Sequence, residues 1–450
     1  MIKDLTKGGV AKTLLAFSWP FIVASLLQTA YGIVDMIVVG QTNGQTGLSA
    51  ISNGADLVFF ATTFGMAIGG AGQILIAQFA GAKNWHSLQK TIGTLFTWTA
   101  IIAIVLTAVM LAVSSTALGW LRVPGESFGQ AVSYTHICFA GLLFIFGYNV
   151  VGAVLRGMGD SIRPMVFIAI AAVLNLVLDV VFVVYCGWGA AGAAWATVIG
   201  QGVSCVVSIM YLFINREGFG FDFRPRSFIP HGDIVLMLLK LGGSMVIQYV
   251  AINLSFLFVN SILNAYGVTV SAVTGVGNKI GTISLVLTNA LMIAGSSMVG
   301  QSMGAGKVQR VDSVVRLVLV FSLAWGALLS AAILLFPREV FRMWTSDASV
   351  LDMAAAYAPV CMINLMGFAV RTPSNAFVNG IGNAGLMFVV GVIDSVVMRL
   401  GLAMLFWRIF DWGYMGVWYG TNLAGLTPFI IVLPYYLSRR WVTRKLIIDS

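Results

Sequence analysis

Stretches of about twenty predominantly apolar residues recur along almost the whole chain, as at 165–184 and 314–336. A helix rising about 1.5 Å per residue needs roughly that length to cross a hydrocarbon core of about 30 Å. With 59% hydrophobic and 9% charged residues and a mean hydropathy of +0.94, the 450-residue chain is too apolar for a soluble domain. The runs are continuous rather than short and alternating, which excludes a transmembrane barrel. The sequence therefore predicts an all-α membrane protein of about twelve spans. They fall near 13–39, 48–79, 91–114, 131–155, 164–185, 191–214, 234–263, 268–300, 314–336, 352–378, 385–407 and 414–437, with boundaries good to a few residues.

The opening MIKDLTKGG lacks the short apolar core and small-residue cleavage site of a secretory signal, so the first span is expected to stay as a helix. Cys138, Cys186, Cys205 and Cys361 are scattered without metal-ligand spacing and read as packing residues. Orientation follows from Lys and Arg. If the N-terminus is cytoplasmic, eighteen of them lie in cytoplasmic segments and four (Arg122, Arg338, Arg342 and Arg408) on the opposite side; Lys279, Arg371 and Arg399 inside spans complete the 25. That bias places both termini in the cytoplasm of a multi-pass inner-membrane protein. It also accounts for the formal charge of +9 without nucleic acid, since basic loops lie against an anionic leaflet.

The chain repeats itself. AGQILIAQFAGA at 71–82 aligns with AGSSMVGQSMGA at 294–305, and RGMGD at 156–160 with NGIGN at 379–383, both at an offset of 223. GWGAAGAAWAT at 187–197 aligns with DWGYMGVWYGT at 411–421 after one inserted residue. Two homologous halves of about six helices follow, namely an N-terminal lobe at 1–214, a cytoplasmic linker at 215–233 and a C-terminal lobe at 234–450. An even number of spans makes the repeats parallel, related by an axis along the membrane normal.

Parallel repeats of this kind recur in secondary transporters that rock about a central cavity. No filter motif or ring of repeated charge favours a pore. The dispersed His86, His136 and His231, with no G-x-S-x-G, H-E-x-x-H or P-loop, argue against an enzyme. Asp35 and Asp179 are carboxylates stranded in apolar spans, where an ionisable group costs roughly 2.5–3.5 kcal/mol and is tolerated facing a cavity or partner. Asn175 and Asp179 are one helical turn apart and share a face. The hard oxygens of these three residues suit a proton or an alkali cation.

The pattern WPFIVASLLQTAYGIVDMIVVGQ at 19–41, AQFAGAKN at 77–84, LRGMGDSIRPM at 155–165 and NLVLD at 175–179 resembles the multidrug and toxic compound extrusion family along the whole chain, and is most similar to its prokaryotic DinF-like branch. The resemblance implies a cation site in the N-terminal lobe formed by Asp35, Asn149, Asn175, Asp179 and Thr197, with Na⁺ a candidate at Asp35, Asn175, Asp179 and Thr197. The acidic residues that another branch carries on helices 7 and 10 are missing. Asn253, Asn260 and Arg371 stand in those spans as candidates for the C-lobe cavity.

These readings converge on a cation-coupled antiporter, driven by H⁺ or Na⁺, that exports amphipathic and often cationic compounds by alternating access. It is expected to need no cofactor and to work as a monomer in the bilayer. Burial and mutual repulsion disfavour two ionised carboxylates in one lobe, so the pair can hold a proton near neutral pH. The alternative is a lipid-linked precursor flippase of the same wider superfamily. Its pyrophosphate cargo calls for a strongly basic cavity, whereas only Lys279, Arg371 and Arg399 enter spans here. Asp56 and Lys279 also differ by 223, so they occupy equivalent places in the two halves and are expected to pair as an inter-lobe gate when the outer side closes.

Overall fold

In the computed structural model, which describes residues 4–449, every regular element is a helix. This follows from the sequence, because in hydrocarbon each backbone N–H and C=O must find its partner within its own segment. Helix α1 (Val10–Gly81) runs for 72 residues but is broken at Gly44, whose φ of 62° and ψ of −152° only glycine adopts without strain. A straight helix of that length would measure about 108 Å, over three times the hydrocarbon thickness, so α1 is two passes.

The first half continues with α2 (Trp85–Trp120), α3 (Gly125–Ala140), α4 (Leu142–Gly157), α5 (Ile162–Asp179) and α6 (Gly189–Ile214). The second half comprises α7 (Gly232–Asn264), α8 (Val268–Gly304), α9 (Val308–Leu335), α10 (Ala348–Gly380), α11 (Ala384–Val392) and α12 (Gly413–Leu423). Taken with the helical segments that continue α5 to Tyr185, α11 to Ile409 and α12 to Leu437, ten helices among the described residues are long and apolar enough to cross a membrane, and α3 with α4, bent by 48° at Gly141, makes an eleventh span. Dividing α1 at Gly44 gives the expected twelve.

The repeat is visible as matched backbone turns. After α1, Lys83 N–H donates to Ala80 O and Asn84 N–H to Phe79 O; after α8, Gly306 N–H donates to Met303 O and Lys307 N–H to Ser302 O. After α4, Gly159 and Asp160 donate to Arg156 O and Leu155 O, and after α10 Gly382 and Asn383 donate to Asn379 O and Val378 O. Each pair differs by 223. Asp160 and Asn383 then accept from the first turn of the next helix, at Ile162 N–H and Leu386 N–H.

Beyond these turns the spacing changes by one. Helix α5 passes into a π-helical turn at Val180–Tyr185, and the continuation of α11 ends in one at Leu405–Ile409. Trp188 N–H donates to Phe182 O and Trp412 N–H to Phe406 O, an offset of 224. Helix α11 carries an additional π-helical stretch at Ile393–Leu400 that α5 lacks. A widened π turn holds one more residue than an α turn, which accounts for the inserted residue.

The chain divides into two compact units, one containing Trp19–Gly242 and the other Leu5–Ser18 with the chain from Gly243 onward. The division differs in two places from the expected 1–214, 215–233 and 234–450. The linker and the first turns of α7 group with the first unit, where the Thr97 hydroxyl donates to Phe228 O at 2.6 Å and His231 N–H to Thr94 Oγ1 at 3.1 Å. Phe221, Phe223 and Phe228 stack edge-to-face beside them. In the same linker the Ser227 hydroxyl donates to Asp222 and holds that carboxyl below its ordinary range. The N-terminal segment groups with the second unit, where Leu5 N–H donates to the buried Gln301 at 2.9 Å and Arg310 donates to the carbonyls of Leu5, Lys7 and Gly8.

Each unit has its own apolar core. In the first, Phe139, Leu142 and Phe146 pack with Ala61 and Met110, and Val39, Ile51 and Val183 form a second cluster. In the second, the Tyr357 ring meets Phe341 and Trp418 edge-to-face, and Trp418 Nε1–H donates to Thr274 Oγ1 at 2.9 Å. Val173 and Val177, and Leu254 and Leu257, are exposed pairs at helical spacing. In a bilayer such surfaces meet lipid.

Candidate functional site

The N-lobe cluster is built where the first half of α1 meets α5 and α6. Asn175 and Asp179 lie one turn apart on α5, and Asn175 Nδ2–H donates to Thr197 Oγ1 on α6 at 3.3 Å. Gly200 makes this approach feasible, because a Cβ there would lie 2.9 Å from Ala171 O and 3.6 Å from Asn175 Cβ. From α1 the Asp35 carboxyl meets both the Asp179 carboxyl and the Asn175 amide. Asp35, Asn175 and Asp179 are 7%, 2% and 0% exposed. Asp179 is the last α-helical residue before the π turn that ends α5.

The group is richer in acceptors than in donors. Among the described residues, Asp35 Oδ1, Asn175 Oδ1 and both carboxylate oxygens of Asp179 are buried without a hydrogen-bond partner. Buried polar atoms are ordinarily satisfied, and two adjacent carboxylates repel each other strongly at low dielectric. A proton between them, or a cation bound by their oxygens, answers both demands. The donor set is hard oxygen throughout, which fits an alkali cation.

Asn149 stands apart in its bonding. It is half-buried on α4 and donates to Ile145 O of its own helix at 2.8 Å. Beside it, Tyr148 interacts with Asn149, Gln201 and Gln28, and Tyr31 lies near both Tyr148 and Asp35. The sequence reading passed over Gln28, Tyr31, Tyr148 and Gln201. Their signal was helical spacing, since Tyr31 precedes Asp35 by one turn and Gln201 follows Thr197 by one.

The remaining candidates are dispersed. Asp56 on the second half of α1 and Lys279 on α8 are both exposed, and within its own lobe neither has an ion-pair partner among the described residues. On α7, Asn253 donates to Tyr249 O at 2.8 Å and Asn260 is half-buried two turns further on. Arg371 on α10 is part of a charged group that the sequence did not assemble. Its Nη2 lies 2.5 Å from Asp394 Oδ2, and Arg399 Nη2 lies 3.7 Å from Asp394 Oδ1. Asp394 and Arg399 belong to the π-helical stretch that follows α11.

A duplicated twelve-span bundle with ionisable groups buried in both halves defines the class, a multi-pass membrane transporter. The MatE family profile matches the chain twice, at residues 20–181 and 244–405, once in each half, and the chain belongs to this family of multidrug efflux transporters. It is 27% identical over 449 residues to the probable multidrug resistance protein YpnP of Bacillus subtilis, covering 99% of both chains. It is 23% identical to the probable multidrug resistance protein NorM of Thermotoga maritima, covering 97% of this chain and 94% of the relative. A solved outward-facing multidrug resistance MATE family transporter shares the fold with a TM-score of 0.91 at 22% identity, over 98% of both chains.

Proposed function

We propose that the protein is an inner-membrane antiporter that couples inward movement of H⁺ or Na⁺ to export of amphipathic, often cationic compounds. The observation that carries this reading is the buried, adjacent pair Asp35 and Asp179, three of whose four carboxylate oxygens (Asp35 Oδ1 and both of Asp179) have no hydrogen-bond partner among the described residues. Asp35, Asn175, Asp179 and Thr197 would hold the cation, with Asn149 positioned nearby through Tyr148. The relatives' names as multidrug resistance proteins support the substrate class.

Coupling requires that cation and drug prefer different conformations, since a ligand with equal affinity for two states shifts neither. Neutralising the pair removes the repulsion that holds α1 away from α5, and this is the step by which binding would favour one arrangement of α1. Release on the cytoplasmic side restores the repulsion and the other arrangement. Both termini would then be cytoplasmic, as the Lys and Arg bias requires.

The test is efflux of a fluorescent cation such as rhodamine 123 from cells and uptake into inverted vesicles, with Na⁺ and pH gradients imposed separately. Transport driven by either gradient alone identifies the coupling ion. Transport indifferent to both would remove the antiport reading.

A further inference from the structure

The C-lobe places two guanidinium groups on one carboxylate inside apolar helices. The side chains of Asp394, Arg399 and Arg371 are 0%, 4% and 16% exposed. Arg371 is nine residues before the end of α10 and Asp394 ten residues into the continuous helical span Ala384–Ile409 that α11 opens, so each lies about 14–15 Å from that helix end. The group carries one positive charge more than its carboxylate neutralises. Arg399 is held over the Phe256 ring at 4.4 Å, which fixes its plane without supplying an anion.

The hydrogen-bonding is also incomplete. Among the described residues, Nε of Arg371, Nε of Arg399 and Oδ1 of Asp394 are buried without a hydrogen-bond partner, although Asp394 Oδ1 lies in the longer ion pair with Arg399. A buried N–H left unmade costs about 1–3 kcal/mol, and an uncompensated buried charge costs more. An arrangement serving structure alone would match one cation to one anion. An excess cation with unused planar donors, on the more exposed of the two arginines, is the complement of a carboxylate or phosphate oxygen pair.

We infer that Arg371, with Arg399 behind it and Asp394 as an internal competitor, forms a C-lobe binding site for the anionic headgroup of an amphiphile. This deepens the export reading and rests on it, because it adds acidic and zwitterionic amphiphiles to the cargo. The internal carboxylate sets the affinity, since an incoming anion must share or take the Arg371 fork from Asp394. The widened π turn places Asp394 and Arg399 on one segment facing Arg371, and the equivalent stretch of α5 is ordinary α-helix, its own π turn starting only at Val180.

The test uses the purified full-length chain in neutral detergent with two fluorescent probes, dansylaminoundecanoic acid and its methyl ester, which differ only in charge. The acid is expected to bind at least about tenfold more tightly than the ester, the effect of one charge-assisted contact. Arg371→Gln should abolish the preference, Arg371→Lys should keep part of it, and Asp394→Asn should raise affinity for the acid severalfold by removing the competitor. If Arg371→Gln does not elute as a folded protein, Arg371→Gln combined with Asp394→Asn keeps the group at its native charge and should show the same loss. Displacement of the acid by phosphatidylglycerol would assign the headgroup to a membrane lipid, and its absence to a soluble amphiphile. Equal binding of acid and ester by the native protein, or undiminished acid preference in the folded Arg371→Gln or double variant, overturns the site. Rhodamine 123 export under an imposed gradient is read separately: export without acid preference sinks only this inference, and acid preference without export sinks only the antiport reading.

Discussion

Helices α5 and α11 are the same element in the two repeats, yet they carry opposite chemistry. In α5 the polar residues come late, with Asn175 and Asp179 in the last turns, about 20 and 26 Å from the start of the helix. In α11 and its continuation they come earlier, at Asp394 and Arg399, and a π-helical stretch surrounds them. At the offset of 224 set by the turns that follow, Asn175 corresponds to Arg399 and Asp179 to Ala403. Thr197 corresponds to Thr421, a buried residue whose hydroxyl has no partner among the described residues. The duplication has kept backbone turns to the individual hydrogen bond while exchanging an acceptor-rich cluster for a donor-rich one. One residue inserted in a helix rotates everything beyond it by about 100°, and the π turn absorbs that rotation locally.

This contrast can be broken first at the acidic cluster, where the largest effect is expected. Asp35→Asn should reduce gradient-driven rhodamine 123 efflux to background while leaving expression and membrane insertion intact, because a neutral isostere removes the coupled charge without removing volume. Gradient-dependent efflux at the native rate in that variant would refute the assignment. Asp179→Asn should cause a comparable loss. The double variant should be no worse than the stronger single one, since residues acting as one unit are strongly non-additive. Effects that simply multiply would place the two carboxylates in separate sites.

A smaller effect is expected at Asp56 and Lys279, which the repeat offset makes equivalent and which the sequence reading pairs as a gate. Lys279→Asp should impair efflux severalfold and Asp56→Lys in addition should restore it, measured at equal expression. Failure of the charge swap to rescue, together with no cross-link between cysteines placed at both positions, would dismiss the pairing. Smallest is Thr197→Val, which removes one neutral oxygen from the cluster. A loss of about 1 kcal/mol, or roughly fivefold in the apparent affinity for the driving ion, is expected from one hydrogen-bonding group. A change confined to maximal rate would show that Thr197 only supports Asn175.

The same contrast marks how far the sequence could be read. Asp35 and Asp179 were conspicuous because a carboxylate in an apolar run is costly wherever the helix is placed, and Asn175 followed from its spacing of one turn. Asp394 was overlooked although it too lies in a span. Nothing in its spacing ties it to Arg371, which is 23 positions away, and the π-helical stretch that it shares with Arg399 has no sequence signature. Tyr31 and Gln201 carried a weak signal in their one-turn spacing from Asp35 and Thr197, whereas Tyr148 and Gln28 are unremarkable in composition and acquire meaning from what they touch.

By itself, the sequence determined the all-helical membrane class, the number of spans and the duplication. Hydrocarbon allows few solutions for the backbone, and local hydropathy and turn motifs record which one is used. Tertiary structure decided which side chains meet. It brought Asp35 of α1 against Asp179 of α5, set two arginines around Asp394 through a π turn, and joined Leu5–Ser18 to the second unit rather than the first. Helix rotation and packing fix such contacts, and in an apolar bundle neither is written in the length or hydropathy of any one helix.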